Sequence, residues 1–180
     1  MSSLLHLAEA TDLVAIVTIR NAAFRGASAR QTGSIESGYV TGTRTDESLL
    51  REEIAGGTQF LLAKEFGTST IQGCVSLQSL SPERWYVGSI AVDPVFQNTG
   101  LGRKLLHGAE EYATAHGARV IEITVVSARN AHISWYERRG YRLTGEIRPF
   151  PYGNSRFGTP TRTDLEFVVL VKEMLREQRD

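Results

Sequence analysis

Apolar residues recur at helical spacing in some stretches of this chain and alternate with polar ones in others. Leu13, Ile16, Val17, Arg20, Ala23 and Phe24 fall on one stripe, which predicts a helix starting near Thr11 or Asp12, either of which can cap it, and ending at Gly26. Leu49, Leu50 and Ile54 predict a second helix from Thr45-Asp46, stopped by Gly56-Gly57. Ser3 to Ala8 reads as a short first strand. Thr58 to Lys64, a turn around Gly67, Ser69 to Leu80 and Trp85 to Val92 read as an antiparallel meander.

An amphipathic helix is expected from Gly100 to His116, turning Leu101, Leu105, Ala109 and Tyr112 inward and closing at Gly117. Val120 to Val126 is apolar apart from Glu122 and Thr124, as expected for a central strand covered on both faces. Asn130 opens a short helix, and strands follow at Tyr141 to Arg148 and Asp164 to Lys172. The pattern predicts an α+β fold with a mostly antiparallel central sheet of about seven strands and helices on both faces.

Composition narrows the function classes. At 180 residues the chain suits one domain, 1–180, with a core large enough to fold alone. Lys plus Arg and Asp plus Glu number 20 each, so no global field draws it to nucleic acid or an anionic membrane. The single cysteine, Cys74, excludes an internal disulfide framework and suits a reducing cytoplasm. No basic n-region precedes a long apolar stretch at the N-terminus, and no apolar run is long enough to span a bilayer. His6, His107, His116 and His132 include no pair at metal-ligand spacing, so no metal is expected.

The most informative stretch is V-D-P-V-F-Q-N-T-G-L-G, Val92 to Gly102. A strand runs through a proline turn and a glycine-bearing loop into a helix, which gathers unpaired N–H groups at a helix N-terminus where the dipole favours an anion. Gly100 and Gly102 allow close approach to the backbone. A Walker-type loop is excluded because Gly102 is followed by Arg103 and Lys104 and no glycine stands at the required upstream position. A dinucleotide fingerprint is excluded because the third glycine position is Leu105.

The form that fits is Q-x-x-G-x-G, with Gln97, Gly100 and Gly102, followed downstream by N-A-H-I-S-W-Y-E-R-R-G-Y from Asn130 to Tyr141. These two segments resemble the acyl-CoA-binding motifs of the GNAT superfamily of N-acetyltransferases, and the resemblance covers roughly Gln59 to Tyr141. It implies a GNAT fold, in which two parallel strands, here Trp85–Val92 and Arg119–Val126, splay apart to admit the acyl-CoA arm. The implied cosubstrate is acetyl-CoA.

The resemblance also assigns roles. Main-chain N–H groups of Asn98, Thr99, Gly100, Leu101, Gly102 and Arg103 would hold the diphosphate, with charge from Arg103 or Lys104, and Gln97 would order the loop or contact a phosphate. The backbone of Ile90, Ala91 and Val92 would pair with the pantetheine amides as an added strand. The Val92 N–H would polarise the thioester carbonyl, Asn130 would fix the arm from the other side, and Tyr136 would serve as general acid to the leaving sulfur. The acceptor amine must lose a proton, and the strand W-Y-V-G-S-I-A-V lacks the carboxylate that many family members place there. Glu83 before it, Tyr86 and Ser89 on it, and Glu122 on the neighbouring strand are candidates to hold a proton-relaying water.

Two further segments, Gly26 to Arg44 (with Ser34, Glu36, Tyr39 and Arg44) and Glu146 to Thr163, are candidates to shape the acceptor site. The second either folds over the acceptor or packs against another subunit in a homodimer, and its Arg148, Arg156 and Arg162 hint at an anionic group on the acceptor. The expected activity is acetyl transfer to a primary amine of a small molecule by direct attack in a ternary complex. Acetylation of a protein or peptide amine, and a non-catalytic acyl-CoA sensor, are the alternatives.

Overall fold

The computed structural model describes residues 5–25, 36–65, 68, 70–154 and 158–174. The predicted stop at Gly26, Ser34, the Gly67 turn and Arg156 lie outside them. In chain order the elements are β1 (Leu5–Leu7), α1 (Leu13–Arg25), α2 (Glu36–Tyr39), β2 (Val40–Thr41), α3 (Glu47–Ala55), β3 (Gln59–Lys64), β4 (Ile71–Ser81) and β5 (Arg84–Val92). Then come α4 (Leu101–Ala115), β6 (Val120–Val126), α5 (Asn130–Glu137), β7 (Arg142–Pro149), β8 (Thr159–Pro160) and β9 (Glu166–Glu173). Single 3₁₀ turns at Ala10–Asp12 and Pro94–Phe96 lead into α1 and the loop before α4.

Seven strands form one sheet in the order β1-β3-β4-β5-β6-β9-β7, antiparallel except for β5 and β6, which run parallel. Helices cover both faces. Leu101, Leu105, Leu106, Ala109 and Ala113 of α4 pack against Leu61, Val75, Leu77, Trp85, Ile121 and Ile123 on one face. On the other, Leu13, Ile16, Ile19 and Ala23 of α1 and Leu50 of α3 pack against Phe60, Leu62, Cys74 and Ala91. Strand alternation sends neighbours such as Leu61 and Leu62 to opposite cores.

Local chemistry sets the element ends. Asp46 caps α3 by accepting from the Leu49 N–H at 2.8 Å, and Gly117, at φ +97°, closes α4. Asp12 acts within the turn before α1 instead of capping it, accepting from the Glu9 N–H at 3.0 Å. Ile54, assigned inward on spacing, is 41% exposed at the last turn of α3.

A small second sheet joins the two segments the sequence left as separate loops. Val40 and Thr41 pair with Pro160 and Thr159. The strands pass so closely that a Cβ on Gly158, at φ +95°, would lie 2.3 Å from the Thr41 carbonyl oxygen. This sheet sits over a minor core of Val40, Val126 and Leu165 with Tyr39, Phe150 and Phe167.

Candidate active site

The parallel pair holds together over three residues and then parts. Arg84, Trp85 and Tyr86 pair with Val120, Ile121 and Glu122; beyond them β5 runs to Val92 and β6 to Val126 with no shared register. A bulge in β5 accompanies the parting. Cys74 faces Ala91 while Ser76 faces Gly88, so Ser89 and Ile90 together oppose the single Val75. Ser89 takes φ +50°, in the left-handed region, and its buried Oγ has no hydrogen-bond partner among the described residues.

Beyond the bulge the backbone direction follows from the ladder. The Asp93 N–H donates to the Gln72 carbonyl at 2.9 Å, so Asp93 faces β4. Alternation then turns the Val92 N–H and C=O toward the gap, and the Gln97 Nε2 approaches the Val92 carbonyl oxygen at 3.5 Å from that side. The same alternation points the Ala91 amide back at β4, and its side chain is fully buried under α1. Of the three residues expected to present backbone to an acyl arm, Ala91 is therefore corrected: it belongs to the sheet and the core. Ile90 and Val92 line the gap.

The loop before α4 is an anion cradle. Gly100 is the N-cap at φ +84° with no side-chain capping bond, and the first helical bond runs from the Lys104 N–H to Gly100 at 3.2 Å. The N–H groups from Asn98 to Arg103 have no hydrogen-bond partner among the described residues. A Cβ on Gly102 would meet only Val92 Cγ2, at 3.9 Å, so the space before it is open. Arg103 and Arg139 both line this end. Arg139 lies over the Trp135 ring at 3.6 Å; burial, then the charges of Arg138 and Arg103, lower its pKa from the usual guanidinium value.

Gap and cradle form one cleft of about 740 Å³. Tyr136 lines it, edge-on to Trp135 at 4.8 Å and to Tyr141 at 5.6 Å. Tyr141 is anchored by donating to the Glu110 carboxylate at 2.9 Å, and Lys172 holds the other oxygen at 2.8 Å. Gln97, Asn98, Gly100, Leu101, Gly102 and Arg103 line the cleft too.

Four expected site residues besides Ala91 do not. Lys104 and Thr99 are exposed and off the cleft, Thr99 donating to the Phe96 carbonyl at 2.7 Å. Asn130 is the first helical residue of α5 and exposed; Arg129 holds the cap position, and the cleft takes Arg129, Ala131 and His132 instead. Glu83 is corrected outright. It sits in the turn before β5, ion-paired to Arg119 at 2.9 Å and off the cleft lining, and the nine-residue strand separates it from Val92 by roughly 25–30 Å.

Glu122 is likewise no proton acceptor. Only 1% exposed, it accepts from Arg84 at 2.6 Å and Arg148 at 2.5 Å. Burial alone would raise its carboxyl, but the two guanidinium bonds outweigh that and hold it below the ordinary carboxylate range. Cys74 is buried, which pushes its thiol up to about 12 despite the Arg20 charge, so it stays protonated. Among the described residues no three His, Cys, Asp or Glu side chains gather in metal-binding proximity, and no helix is long and apolar enough to cross a membrane.

A second cavity of about 280 Å³ adjoins the cleft, sharing Arg44, Tyr86, Thr124, Val126 and Phe167 with it. Arg25, Tyr39, Val40, Phe150 and Pro151 complete its described lining. Tyr86 stands at the junction, its ring in the space a side chain on Gly88 would need: a Cβ there would lie 2.6 Å from Tyr86 Cε1. Burial raises the Tyr86 hydroxyl pKa, against the opposing pull of the Thr124 bond and the Arg44 charge. Phe24, Arg129, Arg139 and Phe167 were not singled out as site residues in the sequence. The R-R-G-Y string around Arg139 was the one local signal, whereas Phe24 read as a core residue of α1.

Comparison with known proteins agrees with this fold. Residues 15–141, more than half of the chain, match the acetyltransferase (GNAT) family. An uncharacterised N-acetyltransferase of Methanocaldococcus jannaschii is 36% identical over 55 residues, a match covering 31% of this chain and 24% of that relative's length. YncA of Salmonella typhimurium, solved with its cofactor acetyl-CoA, superposes with a TM-score of 0.66 at 19% identity over 100% of this chain and 98% of that one. The ribosomal-protein-S18-alanine N-acetyltransferase of Escherichia coli gives 0.66 at 18% identity over 97% and 98%. At these identities the structural likeness shows the fold, and the family match shows the kinship: the chain belongs to the GNAT acetyltransferase family.

Proposed function

We propose that the protein is an acetyl-CoA-dependent N-acetyltransferase that acetylates a primary amine of a small molecule in a ternary complex. The observation that carries this reading is the continuous cleft from the unpartnered N–H groups of Asn98 to Arg103 to the parted strands at Val92. Those groups and Arg103 would hold the diphosphate, with Arg139 beside them, and the open space at Gly102 fits an anion against the main chain. The Ile90 and Val92 backbones would pair with the pantetheine arm. When bound, acetyl-CoA supplies an activated acyl group, which passes to the amine nitrogen as the C–N bond forms and the C–S bond breaks.

The chain's own part in this is small. The Val92 N–H donates to the acyl oxygen, and Tyr136 holds a proton for the departing sulfur. The amine's proton leaves to solvent, with the Tyr86 and Thr124 hydroxyls at the junction to order water. The small volume of the second cavity, about 280 Å³ with Phe150 and Pro151 in its wall, favours a small acceptor over a protein one. A homodimer in the cytoplasm completes the reading; edge strand β7 exposes Leu143 and Ile147, and light scattering checks the mass.

Thiol release on adding acetyl-CoA and a panel of amines tests the activity. The expected outcome is amine-dependent release in which Tyr136→Phe lowers kcat while coenzyme A still binds. Binding without release in the wild type would mark a sensor instead, and an unchanged kcat in the variant would remove Tyr136 from the chemistry.

A further inference from the structure

The arginines that the sequence offered for an anionic acceptor are engaged elsewhere. Arg148 bonds Glu122 and Glu146, Arg162 bonds Asp164 at 2.6 Å, and Arg156 lies outside the described residues. Positive charge reaches the second cavity from other places: Arg25, the last residue of α1, and Arg44, just before α3. No Asp or Glu stands among the described lining residues of this cavity or of the donor cleft. Glu122, the buried carboxylate on the neighbouring strand, is held by Arg84 and Arg148.

Arg44 is fixed in place before any ligand arrives. The Asn21 side chain of α1 accepts from the Arg44 and Thr45 N–H groups at 2.6 and 3.1 Å and donates to the Thr45 carbonyl at 2.9 Å. The guanidinium lies over the Phe24 ring, 5.6 Å from its centroid. Its position lining both cavities puts it at the junction where an acceptor amine would meet the acyl group. A guanidinium carries five N–H donors, so contacts within the chain leave others for a ligand. The remaining wall is apolar or aromatic, with Phe150 and Phe167 stacked at 5.4 Å beside Val40, Val126 and Pro151.

We infer that the second cavity takes an amino-carboxylate with an apolar body, such as an apolar or aromatic amino acid, its carboxylate held by Arg44 with Arg25 adding charge. This rests on the acetyltransferase reading above and names its acceptor class. A planar guanidinium fork matches a carboxylate in geometry and charge, and the aromatic wall suits the side chain. A polycationic amine would bring its charges against two arginines.

The test is binding and turnover on matched pairs: L-phenylalanine against phenethylamine, L-leucine against 3-methylbutylamine, and spermidine as the polycation. Calorimetry is run on protein saturated with coenzyme A, and kcat/KM is measured by thiol release. The expected result is that each amino acid exceeds its decarboxylated partner about 10- to 100-fold, the scale of one charged hydrogen-bonding contact. Arg44→Met, which keeps an apolar stem, brings that ratio toward one, and circular dichroism confirms its folding. A preference for the decarboxylated amines or spermidine, no binding by any amino acid, or a ratio unaffected by Arg44→Met would each overturn the inference. Failure of the acetyltransferase reading would look different, because the wild type would then release no thiol with any amine, whichever of them it binds.

Discussion

The Tyr86 and Thr124 hydroxyls lie 2.8 Å apart, joined across the fork where β5 and β6 stop pairing. Both side chains line the donor cleft and the second cavity, so this bond forms the sill between them. The parallel ladder ends two residues before Thr124, and the side-chain bridge replaces backbone pairing at the point of divergence. Tyr86→Phe removes the bridge and leaves the Thr124 hydroxyl to find water. We expect a stability loss of about 0.5–1.5 kcal/mol in denaturant titrations and a raised acceptor KM with donor affinity unchanged. An acceptor KM equal to wild type would contradict the sill's role.

Gly102 separates ligand binding from folding. Among the described residues a Cβ there meets only Val92 Cγ2, at 3.9 Å, and glycine is a poor helix residue, so Gly102→Val leaves the melting temperature at or above wild type. The added methyls fill the space before the main-chain N–H groups, and coenzyme A affinity should fall tenfold or more. Retained affinity in a well-folded variant would place the diphosphate elsewhere.

Glu122 gives the fold an acid-sensitive joint. Its carboxyl titrates lower in the folded chain than in the unfolded one, where it ionises near pH 4.3. Between those two values the unfolded state binds more protons, so the contribution is fully present above about pH 4.3 and is lost as pH falls through the folded value. Glu122→Gln should cost about 1–3 kcal/mol at neutral pH, a buried-pair value discounted because Arg84 and Arg148 are 41% and 39% exposed. The gap between wild type and variant should narrow on acidification; a gap that is constant with pH would assign the loss to packing.

The rate should follow the acceptor's own proton. With no carboxylate among the described lining residues, log kcat/KM is expected to rise with pH at near unit slope until it reaches the amine's pKa. The break should move when the acceptor is exchanged for one of different basicity. A plateau beginning at the same pH for every acceptor, well below the amine's pKa and abolished by His132→Gln, would instead identify the cleft's imidazole as a base.

Much of the fold was legible because periodicity is a local signal. The stripe of α1, the alternation of β3 to β5 and the glycine loop before α4 each report on their own few residues. The cradle was legible for the same reason: Gln97, Gly100 and Gly102 are close in sequence. What the sequence hid was long-range pairing. Glu122 and Thr124 read as interruptions of an apolar strand, and only Arg84, Arg148 and Tyr86, brought in by other strands, explain them. Glu83 looked near the chemistry by residue number but stands at the far end of a nine-residue strand. The pairing of Val40-Thr41 with Thr159-Pro160 joins residues more than a hundred positions apart, through a glycine chosen for close approach that no local pattern announces.

Titration calorimetry with coenzyme A tests the central claim, main-chain capture of the diphosphate ahead of α4, most directly. One molar equivalent should bind saturably, and pantetheine, which lacks the diphosphate and nucleotide, should bind at least about tenfold more weakly. Absence of saturable heat with coenzyme A, or equal affinity for pantetheine, would contradict it.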